Sequence, residues 1–203
     1  MIPNFKAHPW HGISAGENAP EVVNVFVEIV PTDTIKYEVD KESGYLKVDR
    51  PQKFSNIIPA LYGFVPRTYC EDEVMNLAVS RGAQDVTEGD HDPLDILVLS
   101  SHTFHSGGML LDAVPIGGFK MIDGGEADDK IISVLVGDQV FGHFRDVSEI
   151  PEAEINRLMH YFLTYKNLPD QPAKCRIEEV YGAEHAKEVI KASQVDYANK
   201  YGG

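Results

Sequence analysis

The feature that most constrains the fold is a change in hydrophobic pattern near residue 150 of this 203-residue chain. Before it, short apolar stretches rich in β-branched residues follow one another closely, a pattern typical of strands. After it, apolar residues recur at the spacing of a helix face. The predicted strands are Val22–Ile29, Ile35–Val39, Tyr45–Val48, Met75–Ser80, Ile96–Leu99, Leu110–Ile116 and Ile131–Val136.

Two helices are predicted in the last third of the chain. The first covers Pro151–Lys166, where the proline suits the first turn, and the second runs from about Ala183 to Tyr197. Many short strands favour a closed or sandwiched β-structure over βαβ units. The sequence therefore predicts a mainly β fold with α, in which a small β-barrel precedes two C-terminal helices packed against it. The apolar positions assigned to the buried helix faces are Ile155, Leu158, Met159, Phe162, Ala186, Val189, Ile190 and Val195.

Composition restricts the class of partner. The chain has 32 acidic and 18 basic residues and a net charge of -14, which disfavours nucleic-acid binding. One explanation of the acidic surface is solubility alone. If the ligand is an anion, bound cations must instead make the potential at the binding site positive. No apolar run approaches the ~20 residues that span a bilayer, and the first residues resemble neither a secretory signal nor a transit peptide. Because Cys70 and Cys175 form no CxxC motif, we expect a reduced, cytoplasmic protein without a membrane partner.

The strongest functional motif is the acidic segment Gly89–Asp95, which leads directly into a predicted buried strand. Asp90 and Asp92 are expected on one side of an extended backbone, and Asp95 can return to the same pocket just before the strand. Three carboxylates this close repel one another unless cations neutralise them. Oxygen ligands of this kind select Mg²⁺ or Mn²⁺. The alternative is an acidic surface turn with aspartates as turn formers.

A second acidic loop, Asp123–Lys130, contains two consecutive glycines between predicted strands. It can bend so that Asp123 and Asp128 grip one ion. Lys130 lies two residues beyond Asp128, so the two side chains can face the same way where the next strand begins. The lysine then forms either a plain salt bridge or a contact with phosphate once metals have satisfied the carboxylates.

Further charged residues lie on predicted strands and at a helix end. Glu28 lies on the first strand, Lys36 and Glu38 share one face of the second, and Tyr165-Lys166 ends the first helix. A charged strand face is usually solvated, and the helix dipole favours a lysine near a helix C-terminus. In a small barrel, the same strand face can instead line the mouth.

Taken together, these segments resemble the family I soluble inorganic pyrophosphatases. The resemblance runs in order from about residue 20 to residue 170 and implies a five-stranded OB-type closed barrel with helices on one side. It also implies an inorganic diphosphatase that uses several Mg²⁺ ions, or Mn²⁺, to hydrolyse pyrophosphate to two phosphates. The segments that carry it are Val27–Ile29, Ile35–Glu38, Val48–Arg50, Leu61–Phe64, Gly89–Leu99, Pro115–Gly117, Asp123–Lys130 and His160–Leu168.

The resemblance further implies a role for each site residue. Asp92 is the implied general base for a metal-activated water. Asp90, Asp95 and Asp128 are implied ligands of the first metal, Asp95 also reaches the second, and Asp123 with Asp128 holds a third. The remaining implied metal ligands are Glu28 and Glu38, and the implied phosphate-binding residues are Lys36, Arg50, Tyr62, Lys130, Tyr165 and Lys166.

Three positions depart from the usual pattern of that family. Ile58 stands where many members have a tyrosine, so one contact near the phosphates is expected to be missing. His91 stands where glycine or asparagine is common, and we expect it to be exposed or to support the loop without binding metal. The stretch Cys70–Glu88 is longer than in compact bacterial members and is expected to form an extended hairpin beside the site.

We expect one domain over residues 1–203, with an N-terminal extension over 1–20, a barrel with active-site loops over 20–145, and a helical part over 149–200. The resemblance implies a homo-oligomer, a hexamer in preference to a dimer, with the helix Pro151–Lys166 as a candidate interface. Two other functions stay open: a metal-dependent phosphohydrolase acting on nucleotides or phosphate monoesters, and an OB-type binding module. The sequence has no GxxxxGK[ST] motif, which disfavours a nucleotide phosphohydrolase. OB-type binding modules use basic grooves, and this sequence has acidic clusters instead.

Overall fold

The computed structural model describes residues 6–166, 168, 171–172 and 174–202. The strands in this part of the chain are β1 (Val23–Ile29), β2 (Ile35–Val39), β3 (Leu46–Pro51), β4 (Leu61–Phe64), β5 (Glu88–Gly89), β6 (Asp95–Leu99), β7 (Met109–Asp123), β8 (Glu126–Ala127), β9 (Lys130–Leu135) and β10 (Cys175–Gly182). The helices are α1 (Asp72–Ser80), α2 (Glu152–Thr164) and α3 (Ala183–Tyr201), and a 3-10 turn covers Val147–Glu149.

Five strands close into a barrel in the order β1-β4-β6-β9-β7, with β7 pairing back onto β1. All of these pairs are antiparallel except β6–β9, which runs parallel from Asp95 opposite Lys130 to Leu99 opposite Val134. The long strand β7 has a register shift between Pro115 and Gly117, where it can bend around the barrel. The predicted five-stranded OB-type barrel with C-terminal helices is confirmed.

The core lies inside the barrel and between the barrel and the helices. The run Ile96–Leu99 of β6 is buried throughout, and so are the first five residues of β9, because both faces of these strands are covered. Helix α2 packs on one side of the barrel, while α3 packs on β7 and on α1. Among the residues that the structure describes, none of the helices combines the length and apolar composition needed to cross a bilayer.

The two C-terminal helices are confirmed, with one error in their buried faces. The prediction that Val195 is buried is wrong, because 47% of it is exposed. Helix α3 instead turns the neighbouring Asp196 inward, where it is hydrogen-bonded to the backbone of α1. Met159 is only partly buried. The remaining predicted positions are buried, namely Ile155, Leu158, Phe162, Ala186, Val189 and Ile190.

The predicted strand Met75–Ser80 and the predicted hairpin over Cys70–Glu88 are both wrong, because this stretch contains helix α1. Val74 and Ala78 lie one helical turn apart and are buried on the side of α3. The carboxylate of Asp196 accepts hydrogen bonds from the backbone nitrogens at the start of α1, including Glu73 (2.9 Å) and Val74 (3.1 Å). So short an apolar run fits either periodicity, and a cap supplied from α3 decides in favour of the helix.

Strand β10 lies outside the sequence prediction. It extends the sheet by pairing antiparallel with β7, yet only Cys175 and Tyr181 of its eight residues are buried. Such an exposed strand lacks the apolar alternation by which a half-buried strand is identified. Strands β2 and β3 form a separate hairpin in which Lys36 pairs with Arg50.

The N-terminal extension is anchored on the body through its tryptophan. Trp10 is 3% exposed, and its indole nitrogen donates a hydrogen bond to the carbonyl oxygen of Thr68 at 2.8 Å. Residues 1–5 of the predicted extension lie outside the described part of the chain. Cys70 and Cys175 are both buried free thiols, as expected.

Candidate active site and metal centre

A cleft of about 220 Å³ opens at the amino ends of the parallel strands β6 and β9. Side chains from hairpin β2–β3, from the loops before β6 and β9, and from the end of α2 meet there. The cleft therefore brings together nearly all of the residues that the sequence predicts for the site. It is lined by Glu28, Lys36, Glu38, Tyr62, Asp90, Asp92, Asp95, Asp123, Asp128, Lys130, Tyr165 and Lys166.

Arg50 is the one predicted site residue that does not line this cleft. It lies opposite Lys36 in the hairpin, with its guanidinium carbon 5.9 Å from the centre of the Tyr165 ring. Its Nη1 is buried and has no hydrogen-bond partner in the described part of the chain. A buried donor of this kind is available to an acceptor on a water molecule or a ligand.

Three carboxylates form the acidic centre of the cleft. Asp90, Asp95 and Asp128 each offer an oxygen atom, and these atoms lie within 4.8 Å of one another. Asp95 is the first residue of β6, and Asp128 lies two residues before β9, so the parallel pairing of β6 with β9 brings the two aspartates together. The close placement of these three residues, which the family resemblance implies, is therefore observed.

The loop that carries Asp90 is a turn rather than the extended segment that the sequence predicts. His91 has a positive φ of 59°, and the backbone nitrogen of Asp92 donates a hydrogen bond to Oδ1 of Asp90 at 3.0 Å. The turn separates the two aspartates in environment, because Asp90 faces the acidic centre while the side chain of Asp92 is 51% exposed. His91 itself contacts Tyr69 and Glu88, each at 3.2 Å, and stays outside the acidic centre as predicted.

A single buried lysine partly balances the charge of the acidic centre. The ammonium of Lys130 contacts Asp95 at 2.5 Å and also pairs with Asp128. Burial by itself lowers the pKa of Lys130, but Asp128 and Asp95 raise it well above its usual range. Burial, followed by the charge of Asp128, raises the pKa of Asp90, and burial also raises the pKa of Asp128. One cation thus faces three crowded carboxylates.

The donor set suits a hard divalent cation. Carboxylate oxygens are the ligands that Mg²⁺ and Ca²⁺ take in proteins. Burial raises the pKa of Asp90 and of Asp128 despite the charge of Lys130, so a further bound cation would favour their ionised forms. The hydroxyl of Tyr62 donates to Oδ2 of Asp95 at 2.5 Å. Asp95 is thus held by contacts from both Tyr62 and Lys130.

Two further acidic residues, Glu28 and Glu38, lie on one wall of the cleft. Glu28 is 7% exposed and accepts a hydrogen bond from the backbone nitrogen of Val39 at 2.6 Å. Burial raises the pKa of Glu28 to about 8. On the adjacent hairpin, Lys36 pairs with Glu38 and lies 3.4 Å from Asp49. The charged strand face therefore lines the cleft and is not simply solvated.

The opposite wall is formed by the end of α2 and the loop after β7. Lys166 pairs with Asp123, and its ammonium lies 5.2 Å from the centre of the Tyr165 ring. Asp123 lines the cleft but lies outside the group of three carboxylates that converge within 4.8 Å. Its sharing of one ion with Asp128 therefore stays a prediction. Ile58 is buried in the lining, so the cleft has an apolar side chain at this departure from the family pattern.

Two of the residues that line the cleft without having been predicted lie close to Asp92. Lys41, just after β2, pairs with Asp92, and Trp10 from the N-terminal extension lies beneath that lysine. No periodic pattern surrounds Trp10, so nothing in the sequence ties this segment to the site. Lys41 follows Lys36 and Glu38 closely and could have been found from that proximity alone.

Comparison with known proteins assigns the chain to one family. A sequence model described as inorganic pyrophosphatase matches residues 25–198. The chain belongs to the inorganic pyrophosphatase family. The inorganic pyrophosphatase of Chlamydia muridarum is 46% identical over 199 residues, which cover 96% of this chain and 95% of that protein. Soluble inorganic pyrophosphatase 1 of Arabidopsis thaliana is 38% identical over 95% of this chain and 81% of its own length.

A solved structure supports the same family assignment. The inorganic pyrophosphatase from Thermus thermophilus matches with a TM-score of 0.78 at 29% identity, covering 94% of this chain and 99% of that one. The resemblance drawn from the sequence motifs is therefore confirmed over nearly the whole chain. Inorganic pyrophosphatase membership also implies a divalent metal cofactor, for which the described residues provide the converging carboxylates Asp90, Asp95 and Asp128.

Proposed function

We propose that this chain is an inorganic diphosphatase that hydrolyses pyrophosphate to two phosphates. The observation that carries the proposal is the arrangement of charges in one cleft. Three convergent carboxylates lie at its centre, and cationic groups on both walls, including Lys36 and Lys166, surround them. Such a cleft suits a small, highly charged anion that arrives with divalent cations, because neither component alone balances the charge.

The cations are proposed to be Mg²⁺. Asp90, Asp95 and Asp128 would hold the first ion, with Asp123, Glu28 and Glu38 as ligands of further ions. Bound there, divalent cations supply Lewis-acid activation of water and charge compensation for phosphate oxygens. Mg²⁺ prefers carboxylate oxygen ligands and commonly binds together with substrate phosphates, which agrees with a cleft built from aspartates.

Asp92 is proposed as the general base. Its carboxylate lines the cleft, lies next to the acidic centre in the chain and stays half-exposed, so a water molecule can reach it. A base of this kind accepts the proton of the attacking water as the new bond to phosphorus forms. The turn at His91 is what directs Asp92 away from the three converging carboxylates and frees it for this role.

The remaining polar residues are proposed to bind and neutralise the phosphates. Lys36, Lys130 and Lys166 provide point charges, and Arg50 offers a buried donor that has no acceptor among the described residues. Tyr62 and Tyr165 line the same cleft and would contribute hydroxyl groups. Positioning and charge compensation of this sort provide most of the catalysis in phosphoryl transfer.

The wider setting of the enzyme is also proposed. We infer a cytoplasmic homo-oligomer with one domain per chain and without nucleic-acid or membrane partners. A hexamer is favoured over a dimer, by the resemblance. The lack of a nucleic-acid partner is supported by the net charge of -14, which repels anionic polymers. Support for one domain comes from the family match, which runs through residues 25–198 without interruption.

The substrate is tested by phosphate release from purified protein with Mg²⁺. Pyrophosphate is expected to be hydrolysed far faster than ATP or p-nitrophenyl phosphate at equal concentration, and excess chelator is expected to abolish the activity. Comparable rates on ATP or on the monoester would indicate a broader phosphohydrolase. A gel shift with nucleic acid and no phosphate release would indicate a binding module instead.

The role of Asp92 is tested by Asp92→Asn. Turnover is expected to fall by about 10²–10⁴-fold, the usual loss for a general base, while stabilisation by Mg²⁺ in thermal melts is retained. Asp112→Asn, at an exposed position on β7, is the matched control and should keep normal turnover. Near-normal phosphate release by Asp92→Asn would remove Asp92 from the role of base.

A further inference from the structure

The candidate base is held by a lysine outside the predicted site. Lys41 follows β2 by two residues, and its ammonium pairs with the carboxylate of Asp92. Both side chains are about half-exposed, at 57% and 51%. An ion pair between two half-exposed side chains orients them poorly unless other contacts hold one of the two in place.

The tryptophan of the N-terminal extension fixes the lysine. The ammonium of Lys41 lies 5.9 Å from the centre of the Trp10 ring, within the range of a cation–π contact. Trp10 is itself immobilised, because it is buried, its indole donates to Thr68, and its carbonyl oxygen accepts from the backbone nitrogen of Arg67 at 2.9 Å. We call residues 8–12 the N-terminal strap.

The turn that carries Lys41 also packs directly on this strap. Gly44 has a positive φ of 73°, and a Cβ atom at that position would lie 2.8 Å from the His8 ring and 2.9 Å from Pro9. A side chain here is therefore excluded by both conformation and space. The hairpin turn and the N-terminal strap are in contact at two points, one at Gly44 and one at the ring of Trp10.

The same threonine that holds the strap also holds the loop of Asp92. The hydroxyl of Thr68 accepts a hydrogen bond from the backbone nitrogen of Leu94 at 2.9 Å, inside the segment between Asp92 and Asp95. Thr68 is fully buried and its carbonyl oxygen binds the indole of Trp10. The lysine and the aspartate that it pairs with are thus both positioned relative to the N-terminal strap.

We propose that Lys41, seated on Trp10, is a positioning residue that orients the Asp92 carboxylate for proton transfer. This inference rests on the proposed function, since it assumes that Asp92 is the base. Lys41 acts through Asp92 and makes no contact with substrate. The N-terminal strap, which lies outside every predicted motif, thereby becomes part of the catalytic apparatus.

The kinetic test is Lys41→Met, which keeps the aliphatic bulk and removes the charge. We expect kcat to fall about two- to fivefold, the range for losing one half-exposed ion pair, with KM changed less than about twofold. Lys41→Arg should restore most of the loss, because a guanidinium also pairs with carboxylates and stacks on indole. Lys47→Met, in the same hairpin and exposed, should leave both constants unchanged. A rise in KM at normal kcat would overturn the proposal and make Lys41 a phosphate contact.

A spectroscopic test separates this inference from the activity. Trp10 is the only tryptophan in the chain, so the fluorescence of metal-free protein reports its surroundings alone. Lys41→Met should shift the emission maximum, and Asp92→Asn should shift it in the same direction, because Lys41 loses the partner that holds it over the ring. Lys47→Met should leave the emission unchanged.

These experiments distinguish a failure of the proposed function from a failure of the inference about Lys41. If wild-type protein does not hydrolyse pyrophosphate, the proposed function is wrong whatever the fluorescence shows. If it does, and Asp92→Asn leaves the emission unchanged, Trp10, Lys41 and Asp92 are not coupled and this inference is overturned. Trp10→Phe combined with Lys41→Met gives an independent check, because residues acting as one unit show non-additive losses of kcat, whereas additive losses would contradict the proposal.

Discussion

The two ends of the parallel strand pair β6–β9 use aspartate in opposite ways. At the amino ends, Asp90, Asp95 and Asp128 converge around a single lysine. Beyond the carboxyl ends, Asp138 is buried in a loop where it accepts hydrogen bonds from donors on both sides. These donors are Ser100 Oγ (2.8 Å) and the backbone nitrogens of Ser101 (2.7 Å), Val140 (2.9 Å) and Phe141 (2.8 Å).

The difference teaches how to tell a structural carboxylate from a functional one in the same barrel. Burial opposes ionisation at both ends, but at Asp138 the hydrogen bonds from Phe141, Ser101 and their neighbours outweigh it and hold the pKa well below its usual range. At Asp90, burial and the nearby Asp128 act together and raise the pKa. A carboxylate that accepts four or more hydrogen bonds stabilises the fold, whereas crowded carboxylates with fewer donors have capacity left for a cation.

The largest expected effect is on stability, at the carboxyl ends. Asp138→Ala leaves three backbone nitrogens without their acceptor, and we expect the free energy of unfolding to fall by about 3–5 kcal/mol. The protein that remains folded should hydrolyse pyrophosphate at the normal rate per molecule. Denaturant melts together with phosphate release on the folded fraction measure both. A selective loss of activity at unchanged stability would break the comparison.

At the amino ends of β6 and β9, we expect a substitution to lower activity and to leave stability intact. Asp90→Asn retains an oxygen acceptor for the backbone nitrogen of Asp92 but removes a charge from the acidic centre, so metal-free protein should be as stable as wild type or more so. Activity should fall at least about 100-fold, since even changes to groups that support metal ligands cost 10–100-fold. Stabilisation by Mg²⁺, about 2.7 kcal/mol at a hundred times the dissociation constant for wild type, should be reduced. Strong Mg²⁺ stabilisation of Asp90→Asn would contradict the assignment.

The smallest expected effect is a pH dependence that sharpens the comparison. The folded pKa of Glu28 is about 8 against an ordinary value of 4.5, so between these values the folded state binds more protons than the unfolded state. The free energy of unfolding of metal-free protein should therefore fall as pH rises, by on the order of 2 kcal/mol between about pH 5 and about pH 7. Asp129, with a pKa raised to about 7 mainly by burial, acts in the same direction.

Asp138 contributes with the opposite sign, because a lowered pKa stabilises the fold above its ordinary value of 3.8 and loses this contribution as pH falls. Urea melts at several pH values in excess chelator measure how the free energy of unfolding changes at acid pH and above about pH 5. Glu28→Gln should reduce the decrease in this free energy above about pH 5 and leave the decrease at acid pH unchanged. A Glu28→Gln protein with an unchanged slope would show that Glu28 is ionised in the folded state.

Much of the fold could be predicted because the patterns were long or strict. The alternation in Ile35–Val39 and the apolar run Ile96–Leu99 placed two strands to within a residue. The prediction was wrong at Met75–Ser80, where a short apolar stretch satisfies helix and strand alike. There the choice depended on Asp196, a cap more than a hundred residues away. Strand β10 went unseen because its exposed residues carry no periodic signal.

The chemistry of the cleft was determined by the sequence itself, since the aspartates of two short acidic motifs contain the oxygen ligands that a hard divalent cation requires. Together with six other segments, in their order along the chain, these motifs carried the resemblance to the family. Only the tertiary structure decided how each aspartate behaves. Parallel pairing of β6 with β9 brings Asp95 to Asp128, and a left-handed residue at His91 directs Asp92 elsewhere. Burial then affects their ionisation, and a tryptophan of the N-terminal strap lies beneath Lys41, the partner of Asp92. These facts depend on distances between residues remote in sequence, which no local pattern records.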